Sequence, residues 1–284
     1  MFRVGALVLV VGQACREPAA PVATTTPALE IPPLDPGADP GPRTRDGIRF
    51  GHPVPATGKA WRVTTFATSR SQDATGYPQI STYASKLRVE IVAVEGPAPS
   101  RVRLHFFENV ETFQGISKPT IVERKDYMVD ARAPHVRDAS DKQAPADEVQ
   151  RVLDAFPDLG MRARVDQVLP TEAMQLGERR DELAAAVLRI LHPRAWTMNA
   201  GTATLVSVDG EHAVFNLSLD ASSTSGISMQ LTGEAKISLA DSEVADLSLD
   251  GGYEARKDAG PPEPPGTFSY RRQITSDPSP RSDR

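Results

Sequence analysis

Thr202-Ala203-Thr204-Leu205-Val206-Ser207-Val208, then Asp209-Gly210, then Glu211-His212-Ala213-Val214-Phe215-Asn216-Leu217-Ser218-Leu219-Asp220 is the stretch on which the fold turns. Ala213, Phe215, Leu217 and Leu219 recur at every second residue, the period of a strand with one buried face. Asp-Gly between two such runs signals a hairpin, because both residues tolerate the positive φ of a type I′ turn. The expectation is an antiparallel hairpin with its apolar side inward.

The same alternation continues towards the C-terminus in Ile227, Met229 and Leu231, in Ala235, Ile237 and Leu239, in Ala245, Leu247 and Leu249, and in Phe268, Tyr270 and Arg272. This half reads as an antiparallel meander. Upstream, Leu87, Val89, Ile91 and Ala93 alternate, as do Val102, Leu104 and Phe106, on either side of Glu95-Gly96-Pro97. Between the halves, Val149, Val152, Leu153 and Phe156 follow helical spacing, and so do Leu183, Val187, Ile190 and Leu191 ahead of Pro193. Ile91-Val92-Ala93-Val94-Glu95-Gly96 matches Leu205-Val206-Ser207-Val208-Asp209-Gly210, and Gly58 and Gly177 stand in comparable places ahead of them. The expected class is α+β, mainly β: a curved antiparallel sheet with about two covering helices. Two related halves and a single half-barrel both stay open.

Composition narrows the function. The 284 residues are 39% apolar, enough for a core, and the net charge of −5 comes without any Lys/Arg block that could follow a phosphate backbone, which speaks against nucleic acid. The only cysteine, Cys15, follows Met1-Phe2-Arg3 and the apolar run Val4 to Val11, a charged start and core of signal-peptide length. After it, Arg16 to Arg45 is rich in Pro, Ala, Thr and Gly, a composition that extends and buries nothing. The division expected is a signal peptide at 1–14, a tether at 15–45, a β-rich domain at 46–275 (with 46–135 and 170–275 as its candidate halves, joined by a helical segment) and a disordered tail at 276–284.

Ala14-Cys15 resembles the end of a lipoprotein signal peptide, which implies lipid on Cys15 and an address at the cell envelope, the outer membrane taken ahead of the inner. Gly12 and Gln13 depart from that pattern, and Gly12-x-Ala14 also suits ordinary cleavage to a secreted or periplasmic product. The whole layout resembles uncharacterised secreted lipoproteins of proteobacteria, myxobacterial ones among them. More loosely, it is similar to periplasmic carriers of lipoproteins and lipids, whose half-barrel sheets are covered by helices.

No catalytic, cofactor or metal residue is nominated. The five histidines share no metal-ligand spacing: His105 and His212 fall on polar strand phases, His52 and His135 lie beside prolines, and His192 sits at a helix end. No Gly-x-Ser-x-Gly elbow occurs. Asp246 to Gly251 resembles the opening of a calcium loop, but Lys257 occupies the place of the closing Glu, and a strand running into an Asp250-Gly251-Gly252 turn is the better reading. Asp241 and Glu243 read as neighbours on one strand face, and Trp61 and Trp196 as core residues or pocket walls. The functional expectation is therefore a non-enzymatic, membrane-anchored lipoprotein that binds an apolar ligand or an envelope protein. The alternative is a secreted hydrolase with a site assembled from distant residues. If Cys15 carries lipid, the wild-type chain partitions with membranes and its mature N-terminal peptide has acyl mass, while Cys15→Ser is released or left unprocessed. Recovery of unmodified soluble wild-type protein beginning at Cys15 would establish plain secretion.

Overall fold

The computed structural model describes residues 47–73, 75–132, 135–191, 196–223, 226–255 and 265–277. The expected signal peptide, Cys15, the tether and His192 lie outside these residues. In chain order the elements are β1 (Ala60–Gln72), β2 (Pro78–Glu95), β3 (Ala98–Phe113), β4 (Ile116–Pro119), β5 (Asp126–Asp130), β6 (His135–Asp138), α1 (Ala146–Ala155), α2 (Arg164–Val168), α3 (Asp181–Leu191), β7 (Trp196–Asp209), β8 (His212–Ser223), β9 (Ile227–Ser238), β10 (Val244–Ala255) and β11 (Gly266–Ser276). The strands form one curved, unclosed antiparallel sheet of 11 strands, in the class the alternation foretold. Three helices accompany it where two were expected, because the five residues of α2 are too few to show a period.

The strand order is β6-β5-β3-β2-β1-β11-β10-β9-β8-β7, with β4 paired to β3. Every neighbour pair is local in sequence except β1 with β11, which join the N-terminal and C-terminal strands from Trp61↔Ser276 to Arg70↔Thr267. The two strands next to the helical segment, β6 and β7, are thereby the two edges. The chain between them has to cross from one side of the sheet to the other, and its helices pack on the inner face as they go. Two apolar clusters result: Val152 of α1 lies over Leu87, Val89, Leu104 and Phe106, and Leu183 and Val187 of α3 lie over Leu205, Phe215 and Leu217. Gly201 is where α3 comes closest, since a Cβ there would stand 3.1 Å from that of Ala184.

The β7–β8 hairpin turns differently from the expected type I′, and the β2–β3 hairpin turns the same way. The two-residue loops are Gly96-Pro97, between Glu95↔Ala98, and Gly210-Glu211, between Asp209↔His212. Only the first residue of each has positive φ, +60° and +61°, as in a type II′ turn. A loop with both residues at positive φ occurs instead at Gln114-Gly115, joining β3 to β4. Gly58 and Gly177 make the same pattern of backbone hydrogen bonds. Gly58 N–H donates to Ile91 O at 2.8 Å and Ile91 N–H to Lys59 O at 2.9 Å; Gly177 N–H donates to Leu205 O at 2.7 Å and Leu205 N–H to Glu178 O at 3.0 Å.

The segment before β1 belongs to the core. Ile48 pairs with Met174, Phe50 packs its ring 6.2 Å from that of Phe215, and Gly51 lies where any side chain would meet the Ala240 carbonyl. Ser242 fixes this segment by donating to Gly51 O at 2.6 Å. A cut just before residue 46 therefore spares these contacts, whereas Phe50→Ala removes a side chain that is 6% exposed and should cost about 3–5 kcal/mol. Denaturant melts of the full chain, the 1–45 deletion and Phe50→Ala test this: the first two should coincide and the third shift down. A stable Phe50→Ala variant would contradict the packing.

Candidate functional site

Strand register sorts the inner face into rows. One row reads Phe106 (β3), Leu87 (β2), Val63 (β1) and Ile274 (β11), all apolar and part of or against the α1-side cluster. The next row on these strands reads Asn109, Ser85, Thr65 and Arg272, entirely polar. A third reads Glu111, Tyr83, Ala67 and Tyr270, and passes into the α3-side cluster through Leu249 and Leu217. The polar row thus divides the two apolar clusters. A one-residue bulge in β3 builds it: Leu87 pairs with Phe106 but Lys86 with Glu108, so Phe107 is extra and faces out, and Asn109 takes the inward place.

Hydrogen bonds knit one end of the row. Asn109 Nδ2 donates to Tyr83 Oη at 2.8 Å and to Ser85 Oγ at 3.1 Å, and Thr120 Oγ1 donates to Asn109 Oδ1 at 2.6 Å. Glu111 is held by Arg151 of α1 at 2.8 Å. Burial pushes the Tyr83 phenol above its ordinary range, against the opposing effect of Ser85 and Asn109. At the other end, burial raises Tyr270 although Arg272 and Thr65 bear on its hydroxyl. The Nε of Arg272 is buried and has no hydrogen-bond partner.

Two half-buried carboxylates lie within the electrostatic reach of Arg272. Asp158, ahead of α2, is pushed up by desolvation in spite of Arg164, 2.9 Å away, and of Arg272. Glu243 is pushed up by desolvation in spite of Lys59, 2.9 Å away. Asp241 also receives Lys59, at 3.0 Å, and is held below the usual range by Ser238 and Lys59, which outweigh its burial. Desolvation acts against Lys59 as well, yet Glu243 and Asp241 together hold it above its ordinary value. The sequence reading placed Asp241 and Glu243 on one strand face; they lie instead in the β9–β10 connection ahead of Val244, where both converge on one lysine.

Two of the histidines are held by carboxylates. His52 Nδ1 bonds the buried Asp166, which also holds Arg162, and His52 Nε2 lies 3.3 Å from the Pro170 carbonyl, an acceptor to which it can only donate. His105 bonds Asp126 at 2.7 Å. His135 opens β6 and His212 opens β8. Among the described residues, no group of three metal-ligating side chains comes together. Asp246 to Gly251 lies inside β10, a strand that runs on through Asp250, Gly251 and Gly252 to Ala255, where the glycines suggested a turn. Trp61 is core, 7% exposed, and Trp196 is partly buried against the α3-side cluster.

The in-phase apolar residues of the alternating strands, Leu87, Val89, Ile91, Ala213, Phe215, Leu217 and Met229, are covered by protein, none more than 6% exposed. The uncovered inner face lies elsewhere. The row Ile116, Phe113, Ser81, Ser69 and Phe268 is continuous in register, yet Phe113 is 37% and Ile116 66% exposed, with Ser81 and Gln79 half-buried beside them. Alternation alone did not find this end of β2, β3 and β4, because its inward positions are serine, glutamine and tyrosine as well as phenylalanine.

No protein-family model matches the chain, and no curated protein matches it. Among solved structures it is similar in part to one of lipid–protein interactions in lipovitellin, at 8% identity and a TM-score of 0.41, over 81% of this chain and 26% of that one. The chain therefore spans about a quarter of that protein's length.

The raised carboxylates set a pH dependence. A folded-state value above the unfolded one contributes stability that is full below the unfolded value and is lost as pH rises through the folded value. Wild-type protein should therefore lose stability across the window that starts at the ordinary Glu range and ends at the raised Glu243 value. Glu243→Gln should lack that part of the loss while Asp158 keeps its own; Asp241, shifted down, acts at lower pH and in the opposite sense. Parallel melting-temperature curves for wild type and Glu243→Gln would show that Glu243 is not the group.

Proposed function

We propose that the chain is a non-enzymatic carrier, tethered at the cell envelope through Cys15, that holds an acyl-chain amphiphile on the inner face of its sheet at the β2–β4 end. The observation that carries this reading is the uncovered row: Phe113 and Ile116 face the same side as the buried core, yet among the described residues no helix covers them. Apolar side chains on a curved inner face, with polar groups converging one and two rows deeper, are the chemistry of an amphiphile site. The filled floor beneath α1 and α3 confines the ligand to this end.

The hydrolase alternative needs a nucleophile beside a histidine. The hydrogen bonds of His52 and His105 go to carboxylates and, for His52, to a backbone carbonyl. A carboxylate on Nδ1 is the orientation of a general base for His105, but among the described hydrogen bonds none joins its Nε2 to a hydroxyl.

Full-length Cys15→Ser protein, free of covalent lipid, should bind a fluorescent fatty-acid probe saturably. Ile116→Asp should weaken that binding at least about tenfold with an unchanged melting temperature, since exposed substitutions rarely alter stability by more than about 0.5 kcal/mol. No saturable binding, together with no lipid in a solvent extract of the purified protein, would remove the carrier reading and leave a protein partner for the Phe113–Ile116 surface.

A further inference from the structure

We propose that Arg272 binds the anionic group of the ligand, a carboxylate or phosphate borne by an acyl chain, so that the amphiphile enters head first. The inference deepens the carrier reading and rests on it.

Arg272 faces inward from β11, between Ile274 on the side of one apolar cluster and Tyr270 on the side of the other. A guanidinium in such surroundings is costly unless it is paired and hydrogen-bonded. Other inner-face cations have their anions: Arg151 has Glu111, Arg164 has Asp158, and Lys59 has Glu243 and Asp241. Half-buried Arg272 makes no ion pair among the described residues; it hydrogen-bonds the Tyr270 hydroxyl, but its buried Nε–H reaches no acceptor. Asp158 and Glu243 feel its charge but are committed to Arg164 and Lys59. A planar fork with an open Nε–H is suited to the two oxygens of a carboxylate or phosphate.

The Tyr83 hydroxyl, bonded to Asn109 Nδ2 and to Ser85, stands on the way out. Tyr83 lies one row beyond the polar row, towards Phe113. From the Thr65 row to the Ser69 row the strand advances about 14 Å at ~3.4 Å per residue. An acyl chain whose head meets Arg272 therefore runs along β2 and β3, past half-buried Tyr83 and Ser81, and emerges on Phe113 and Ile116. The exposed rim is what the tail covers.

The test compares three probes of one chain length, a fatty acid, its methyl ester and an acyl phosphate monoester, with inorganic phosphate as a fourth, on full-length Cys15→Ser protein. The acid should bind at least about tenfold tighter than the ester. Arg272→Met should abolish that preference while leaving ester binding unchanged, and Arg272→Lys, which keeps the charge, should retain part of it. The ratio of acid to phosphate monoester identifies which anion is preferred. Equal binding of acid and ester by the wild-type site, or an undiminished preference in Arg272→Met, overturns the inference and leaves the carrier reading standing. Inorganic phosphate binding as tightly as the acylated anions overturns it too, since the site then ignores the tail. Failure of acid, ester and phosphate monoester alike removes the carrier reading itself.

Discussion

The β1–β11 ladder is the constraint from which the rest of the molecule follows. Pairing these two strands places the first and last strands of the fold side by side in the middle of the sheet and leaves β6 and β7 at its margins. Chain connectivity then does the remaining work. The segment from β6 to β7 cannot take a short route, so it spans the inner face, and its three short helices bury what they lie on and leave the rest. The α1-side cluster, the α3-side cluster and the bare end at Phe113 and Ile116 are all products of where that crossing runs.

Energetically the inner face is divided in kind. Apolar rows under the helices are dense, and substitution there is a stability matter. The row Asn109, Ser85, Thr65 and Arg272 is of another sort, because buried polar groups stabilise a fold only when they are satisfied. At the Asn109 end they are satisfied, through Tyr83, Ser85 and Thr120. At the Arg272 end a buried donor is left over. Glu243 and Asp158 reinforce the contrast: desolvation dominates both, so this part of the interior is held at a cost to stability.

Much of the fold could be read from period alone. Phe215 and its in-phase neighbours, the meander after them and the two longer helices stand where alternation put them. What escaped has physical causes. In β1 the inward set Trp61, Val63, Thr65, Ala67 and Ser69 mixes hydroxyls with apolar residues while Phe66 points out, so no clean contrast survives. In β3 the bulge at Phe107 flips the phase halfway, and a strict two-residue count loses the strand at that point. β9 looked like two separate runs because Gly233 interrupts it; a side chain there would collide with the Ser248 carbonyl of β10, so the gap in the pattern marks a close approach and not a break. The candidate site was least legible of all. Arg272 was read as one more strand residue, and only the register sets it beside Thr65 and Ser85, which are about two hundred positions away in the chain.

The central position of β11 also has a consequence for the order of assembly. Hairpins such as β2–β3 and β7–β8 close over two-residue loops and form early, but β1 must wait for a strand that ends at Ser276 before its second edge is occupied. Until then each half of the sheet exposes a bare strand at what will become the middle of the molecule. Such non-local pairing is slow, and an unpaired long strand invites foreign partners. A chain emerging N-terminus first completes its sheet only after Ser276 has appeared, so shielding of the β1 edge during that interval falls to whatever escorts the unfolded chain.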